Sequence, residues 1–129
     1  MIKDEMLKKK VWAVVGVTNN KDRFGYKIFK KLIEHEYETY GVNPKYEEIE
    51  GEKIYPNLKS IPKSIEVVDV VVPPKATIEL LDEIKELGIE YVWFQPGTYD
   101  KAVMEKAEAL GLKPLFNDCV YATLIGEER

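Results

Sequence analysis

Two hydrophobic patterns alternate along the chain, unbroken apolar runs and apolar positions spaced three or four apart. Residues 11–16 (Val-Trp-Ala-Val-Val-Gly) are a nearly continuous run ending at a turn glycine, as in a strand buried on both faces. Tyr26, Phe29, Leu32 and Ile33 then recur at helical spacing. Residues 37–42 read as a second strand stopped by Asn43-Pro44, and residues 67–72 as a third stopped by Pro73-Pro74. A second helix follows, with Ile78, Leu81, Ile84 and Leu87 on one face, Pro74 in its first turn and Gly88 as its cap. Residues 91–95 form a fourth strand. The next helix is placed to start at a Thr98 cap, turns Val103, Ala107 and Leu110 inward, and ends at Gly111. Residues 113–116 give a short fifth strand. Ile2, Met6 and Leu7 make one face of a short lead-in helix. The least regular stretch, 45–66, has room for a small strand near 53–55 and a turn or short helix around 57–61.

Strands alternating with helices predict an α/β fold. The expectation is a Rossmann-like doubly wound parallel sheet of five main strands, order 3-2-1-4-5, with helices on both faces and residues 1–129 forming a single domain. In such sheets the ligand crevice lies beyond the carboxyl ends of the strands, where the order reverses. That reversal is expected between strands one and four, so the loops after Gly16 and Phe94 should face each other.

Composition narrows the partners. A net charge of −4, from 19 basic and 23 acidic residues, argues against non-specific nucleic-acid binding. No apolar run approaches the ~18 residues that would cross a bilayer, and residues 1–10 lack the apolar core of a signal peptide. The single cysteine, Cys119, excludes an internal disulfide and fits a reducing cytoplasm, where this protein is expected.

The strand ends carry the candidate chemistry. Gly16-Val17-Thr18-Asn19-Asn20 joins a strand to a helix, so backbone N–H groups and the helix dipole should point at a bound anion. The dinucleotide fingerprint G-x-G-x-x-G is absent, with Thr18 in place of its second glycine, and the loop also reads as a plain polar connection. An NAD site wants a carboxylate after the second strand. Here Val42-Asn43-Pro44-Lys45 offers a lysine, suited to a ribose bearing an extra phosphate, as in NADP or coenzyme A, or simply solvated. Lys21, Arg23 and Lys75 in neighbouring loops add positive potential. Val72-Pro73-Pro74 and Gln95-Pro96-Gly97 stop their strands and could wall a ligand, with Gly97 allowing close backbone approach and Gln95 offering donor and acceptor. Trp12 and Trp93, inside strands, read as core.

These strand ends, taken in order with Ile54-Tyr55-Pro56-Asn57-Leu58, Ile61-Pro62 and Asp118-Cys119, resemble the small stand-alone CoA-binding proteins. The fold of that family is similar to the CoA-binding domain of the succinyl-CoA synthetase alpha subunit. The resemblance covers almost the whole chain and implies coenzyme A, or an acyl-CoA, at the strand ends. By position, Gly16, Val17, Thr18 and the following loop, with Asn19 and Arg23, would meet phosphate groups. Asn43, Pro44 and Lys45 would flank the adenosine end, Val72, Pro73 and Pro74 would wall adenine and ribose, and Gln95, Pro96 and Gly97 would run beside the pantetheine arm. Two positions depart from the family: Glu36 stands where it commonly has glycine, and Gly41 where it commonly has proline.

No nucleophile, base and orienting group can be assembled from the sequence, nor a metal-ligand spacing. His35, the only histidine, reads as a helix-end cation. Cys119 reads as a buried thiol, the sharper alternative being a mixed disulfide with the CoA thiol. The leading expectation is therefore CoA or acyl-CoA binding without catalysis. The alternatives are an NADP-dependent oxidoreductase, a detached subunit of an acyl-CoA synthetase, or a module reporting CoA status to a protein partner; homo-oligomerisation stays open.

Overall fold

Hydrophobic alternation and burial coincide in the computed structural model, which describes residues 1–128. The apolar runs form the centre of one sheet: β1 (Val11–Val15), β2 (Glu38–Val42), β5 (Val67–Val70), β6 (Tyr91–Phe94) and β7 (Lys113–Leu115). The irregular stretch contributes a small hairpin, β3 (Glu48–Ile49) with β4 (Glu52–Tyr55), and a 3₁₀ turn at Leu58–Ser60. Five helices pack on this sheet: α1 (Ile2–Lys8), α2 (Phe24–Glu34), α3 (Pro74–Glu86), α4 (Lys101–Ala109) and α5 (Val120–Glu127). Every pairing is parallel except β3 with β4.

The class is the expected doubly wound one, but strand count and order are corrected. The sheet has seven strands in the order β3-β4-β2-β1-β5-β6-β7. The third main strand, β5, lies beside β1 rather than outside β2, because β4 takes that outer seat. All four residues of β5 are buried, so it needs cover on both faces and neighbours on both edges, which the sheet centre provides. The reversal therefore falls between β1 and β5, and the loop after Gly16 meets Val71 and Val72 first, with the loop after Phe94 one strand further away.

Alternation sorts the core into two layers. Ala13, Val15, Val68, Val70 and Phe94 pack with Leu81 and Ile84 of α3 and Val103 and Ala107 of α4. Trp12, Val14, Val67 and Trp93 face Ile28, Phe29 and Leu32 of α2, Val120 and Leu124 of α5, and Met6 of α1. Both tryptophans are core, as expected, and α1 exists to bury Met6. The final helix, α5, has no sequence-level forecast. Only Val120 and Leu124 are buried along it, too thin a stripe to stand out.

Three helices end alike. After α3 and α4, Gly88 and Gly111 sit at φ 75° and 72°, and their N–H groups, with those of Ile89 and Leu112, close the last turn. After α2 the same pair of bonds runs from Glu36 to Ile33 and from Tyr37 to Leu32, with Glu36 at φ 66°. The position where the resembled family favours glycine thus needs a left-handed backbone, which a β-carbon resists. Glu36→Gly is expected to stabilise the fold by about 1 kcal/mol; an unchanged urea midpoint would show that the turn holds no strain. The start of α4 also departs from expectation. Asp100, immediately before Lys101, accepts from Val103 N at 2.9 Å and is the cap, while Thr98 is buried and donates to the Gln95 carbonyl at 2.7 Å.

Candidate functional site

Two glycines set the geometry at the end of β1. Gly16, at φ 110°, passes so close to the next strand that a β-carbon there would lie 2.7 Å from the Val71 oxygen. Gly25, in the first turn of α2, rests on Gly16 itself; a β-carbon on Gly25 would lie 2.2 Å from the Gly16 oxygen. These are the tight-turn and close-packing roles that the first and last glycines of a dinucleotide fingerprint serve, here spread over a longer loop. No side chain caps α2, whose N-cap residue is Arg23. Its positive end is left open to the crevice.

A polar network shapes the loop. Asn43 at the end of β2 donates to the Val17 carbonyl at 2.8 Å and accepts from Lys45 N at 2.9 Å, so it ties the β1 loop to the β2 loop. Tyr46 OH lies 3.1 Å from Thr18 Oγ1 and donates to Asn19 Oδ1 at 3.2 Å. Thr18 Oγ1 and Asn20 Oδ1 accept from the backbone two residues ahead, a local turn chemistry that needs no glycine.

Three cavities adjoin along the carboxyl ends of the strands. The first, about 410 Å³, lies between the β2 and β4 ends and α3 and includes Val42, Asn43, Pro44, Pro56, Val72 and Glu79 in its walls. The second, about 570 Å³, gathers Gly16, Val17, Thr18, Arg23, Asn43 and Lys45, with Val72 and Pro73 closing it. The third, about 500 Å³, runs from Phe24 and Val72 to Gln95, Pro96, Gly97 and Cys119. Gly16 and Asn43 are shared by the first two, Arg23, Phe24, Val71 and Pro73 by the last two, and Val72 by all three. Twelve of the fourteen positions singled out in the sequence therefore meet in one crevice. Asn19 and Pro74 stand outside these walls, Asn19 bonded to Tyr46 and Pro74 opening α3.

Charge in the crevice is unevenly spent. Among the described residues, no carboxylate lies within ion-pair distance of Arg23 or Lys45, both exposed, whereas Lys21 reaches Glu50 at 4.0 Å. Lys75 is exposed on α3, away from these cavities. Two unpaired cations beside an open helix N-terminus attract anions, although the chain as a whole is acidic.

Phe24 and Tyr46 line the crevice and Asp69 is buried behind Gln95, and sequence reasoning singled out none of the three. Asp69 lies inside β5, opposite Val14 and Trp93, and is fully buried. Its Oδ1 accepts from Gln95 Nε2 at 2.6 Å, and its Oδ2 has no partner among the described residues. Burial pushes its carboxyl up from the ordinary 3.8 to about 8, against the opposing pull of the Gln95 hydrogen bond. Gln95 Oε1 in turn accepts from Val120 N at 3.3 Å, joining β5, β6 and the start of α5. A lone acid inside the run Val-Val-Asp-Val-Val-Val was the available signal, since a strand covered on both faces buries whatever it carries. Cys119, expected as a buried thiol, is half-buried instead, at the N-cap of α5. His35 keeps the expected helix-end place, its Nε2 2.7 Å from Glu128 Oε2. No helix of the described residues is long and apolar enough to cross a membrane, and no group of three or more His, Cys, Asp or Glu side chains among them could hold a metal.

Comparison with known proteins places this crevice in context. A family model described as a CoA binding domain matches residues 10–124. The alpha subunit of the ADP-forming acetate–CoA ligase II of Pyrococcus furiosus is 30% identical over 119 residues, which cover 84% of this chain and 26% of that subunit. The ADP-forming acetate–CoA ligase I of Archaeoglobus fulgidus is 28% identical, and 18% of its length is covered. The chain thus spans about a quarter or less of these ligases. A solved hypothetical protein from Pyrococcus horikoshii OT3 superposes with a TM-score of 0.87 at 40% identity, covering 94% of this chain and 85% of that one.

Proposed function

This chain belongs to the CoA-binding domain family, and from that premise we propose that it binds coenzyme A, free or acylated, across the carboxyl ends of its parallel strands and catalyses no reaction of its own. The whole chain is read as a single CoA-binding domain. The observation that carries the site is the pair of unpaired cations, Arg23 and Lys45, lining one cavity with the uncapped start of α2. In this reading the second cavity takes the phosphates, against Gly16, Val17, Thr18 and Arg23, with Asn19 holding the loop. Lys45 meets the 3′-phosphate. The first cavity takes adenine between Pro44 and Val72, with Pro73 and Pro74 as the turn that forms the wall. The third takes the pantetheine arm beside Gln95, Pro96 and Gly97. The reading without acid–base chemistry is supported by His35, which lies at the C-terminal end of α2, away from the crevice at its start, and is engaged by Glu128.

Calorimetry with CoA, 3′-dephospho-CoA and NADP tests the reading. CoA is expected to bind at least about tenfold more tightly than its 3′-dephospho form, and Lys45→Ala to erase that difference. Equal or absent heats for the two CoA forms would reject it, and tighter binding of NADP would move the assignment to an oxidoreductase.

A second reading has its own support. Because the chain spans only 26% and 18% of the two ligase relatives, it is also read as a detached part of an acyl-CoA synthetase. Its test is co-purification with an ATP-binding partner that restores CoA-dependent ATP turnover.

A further inference from the structure

We propose that the third cavity, beyond the end of the pantetheine arm, also receives an uncharged, apolar acyl group carried on the CoA thiol, and that Phe24 is the side chain that covers it. The inference rests on the CoA site proposed above and specifies which acyl-CoA that site takes.

Most of the polar side-chain groups along the inner wall are already committed. Gln95 spends one of its two amide N–H groups on Asp69 and accepts from Val120 N at its amide oxygen. Its orientation is fixed, because a backbone N–H can only donate and must face the oxygen. Thr98 spends its hydroxyl on the Gln95 carbonyl. What these groups leave facing the cavity is mainly hydrocarbon: Val71, Val72, Pro73 and Pro96. Arg23 is the cation on this wall, and it stands where the third cavity joins the second, within reach of the phosphates. An acyl carboxylate entering deeper would lose its water and meet no cation, only the second amide N–H of Gln95 and the Cys119 thiol, so its desolvation would not be repaid. A methylene chain would meet mainly surface that welcomes it.

Phe24 supplies the cover. It is the first residue of α2, half of its surface (51%) is exposed, and it borders both cavities. Its ring is held from behind, edge-on to Tyr121 with centroids 6.0 Å apart, and Lys27 Nζ lies 5.5 Å from its centroid. A ring braced in this way at a cavity mouth loses little freedom when an apolar chain slides beneath it, so burial of its exposed face is gained at low entropic cost.

Calorimetry would compare CoA with acetyl-, butyryl-, hexanoyl- and succinyl-CoA, with a phosphine reductant present so that Cys119 exchanges no disulfide with free CoA. Affinity should rise by about fourfold for each methylene that enters the cavity, and succinyl-CoA should bind no more tightly than acetyl-CoA. In Phe24→Ala the ratio of hexanoyl- to acetyl-CoA affinity should fall by about tenfold or more, the remaining walls keeping part of it, while Phe24→Leu should keep most of it. A flat series, a preference for succinyl-CoA, or a chain-length dependence untouched in Phe24→Ala overturns this assignment and leaves the CoA site standing. No heat with any of the five ligands overturns the CoA site itself.

Discussion

Replacing Gly25 by alanine is expected to lower the melting temperature by roughly 10 °C, equivalent to about 2–3 kcal/mol for a chain of this length. The new methyl would sit 2.2 Å from the Gly16 carbonyl oxygen, and that atom is backbone of the β1 turn, with no side-chain freedom to yield. Gly16 cannot retreat either. Its N–H is bonded to the Val42 carbonyl at 2.9 Å, and its α-carbon faces the Val71 oxygen. Relief must come from α2 lifting off the sheet, which opens the contacts of Ile28, Phe29 and Leu32. The same movement withdraws the helix N-terminus from the second cavity, so CoA affinity should fall in parallel with stability. Gly126→Ala is the matched control. It lies in α5 with nothing within 4 Å of the added carbon, and alanine is the better helix former by up to about 1 kcal/mol. Equal melting temperatures for the two variants would show that the contact between Gly25 and Gly16 is not what seats α2.

Asp69→Asn is expected to make the protein more stable at pH 8.5 and no more stable, or less, at pH 4.5. The sign follows from which state holds the proton. In the unfolded chain the carboxyl ionises near 3.8, whereas burial in β5 holds it back to about 8. Below 3.8 both states are protonated and ionisation of Asp69 costs the fold nothing. Between the two values only the unfolded state ionises, so it gains about 1.4 kcal/mol per pH unit over the fold. The cost accumulates to several kcal/mol and levels off above pH 8. Asparagine does not titrate and can still accept from Gln95 Nε2. Its own amide nitrogen would take the place of Oδ2, and the missing bond there, worth about 1–3 kcal/mol, is one that the protonated acid lacks as well, so asparagine gains nothing at low pH. Urea midpoints for both proteins at pH 4.5, 6.5 and 8.5 should therefore diverge as the pH rises. Parallel lines would mean that Asp69 ionises as easily folded as unfolded, with water or a cation reaching Oδ2.

Local signals in the sequence were sufficient for several elements. Pro74 opened α3, Gly88 and Gly111 closed α3 and α4, and the apolar runs at 11–16 and 67–72 lay in the sheet centre, because each depends on a few adjacent residues. Thr98 failed as a cap for an equally local reason. Asp100 stood one position before the helix and reached Val103 N, whereas Thr98 was drawn inward to Gln95. The crevice was half legible. Its walls fell at strand ends, which the sequence marks with Gly and Pro, but Phe24 and Tyr46 carried no mark, being ordinary aromatic residues until the loops brought them to the cavities.

By itself, then, the sequence determined the alternation of strands and helices, the parallel class that follows from it, and the family resemblance spread over the strand ends. Tertiary structure alone decided that β5 sits beside β1, that Gly25 rests on Gly16, and that Asp69 has one hydrogen-bonded oxygen and one without a partner. The division has a physical cause. Helix and strand patterns are fixed by neighbours along the chain, whereas strand order, close backbone approach and the proton affinity of a buried acid depend on atoms brought together from distant segments.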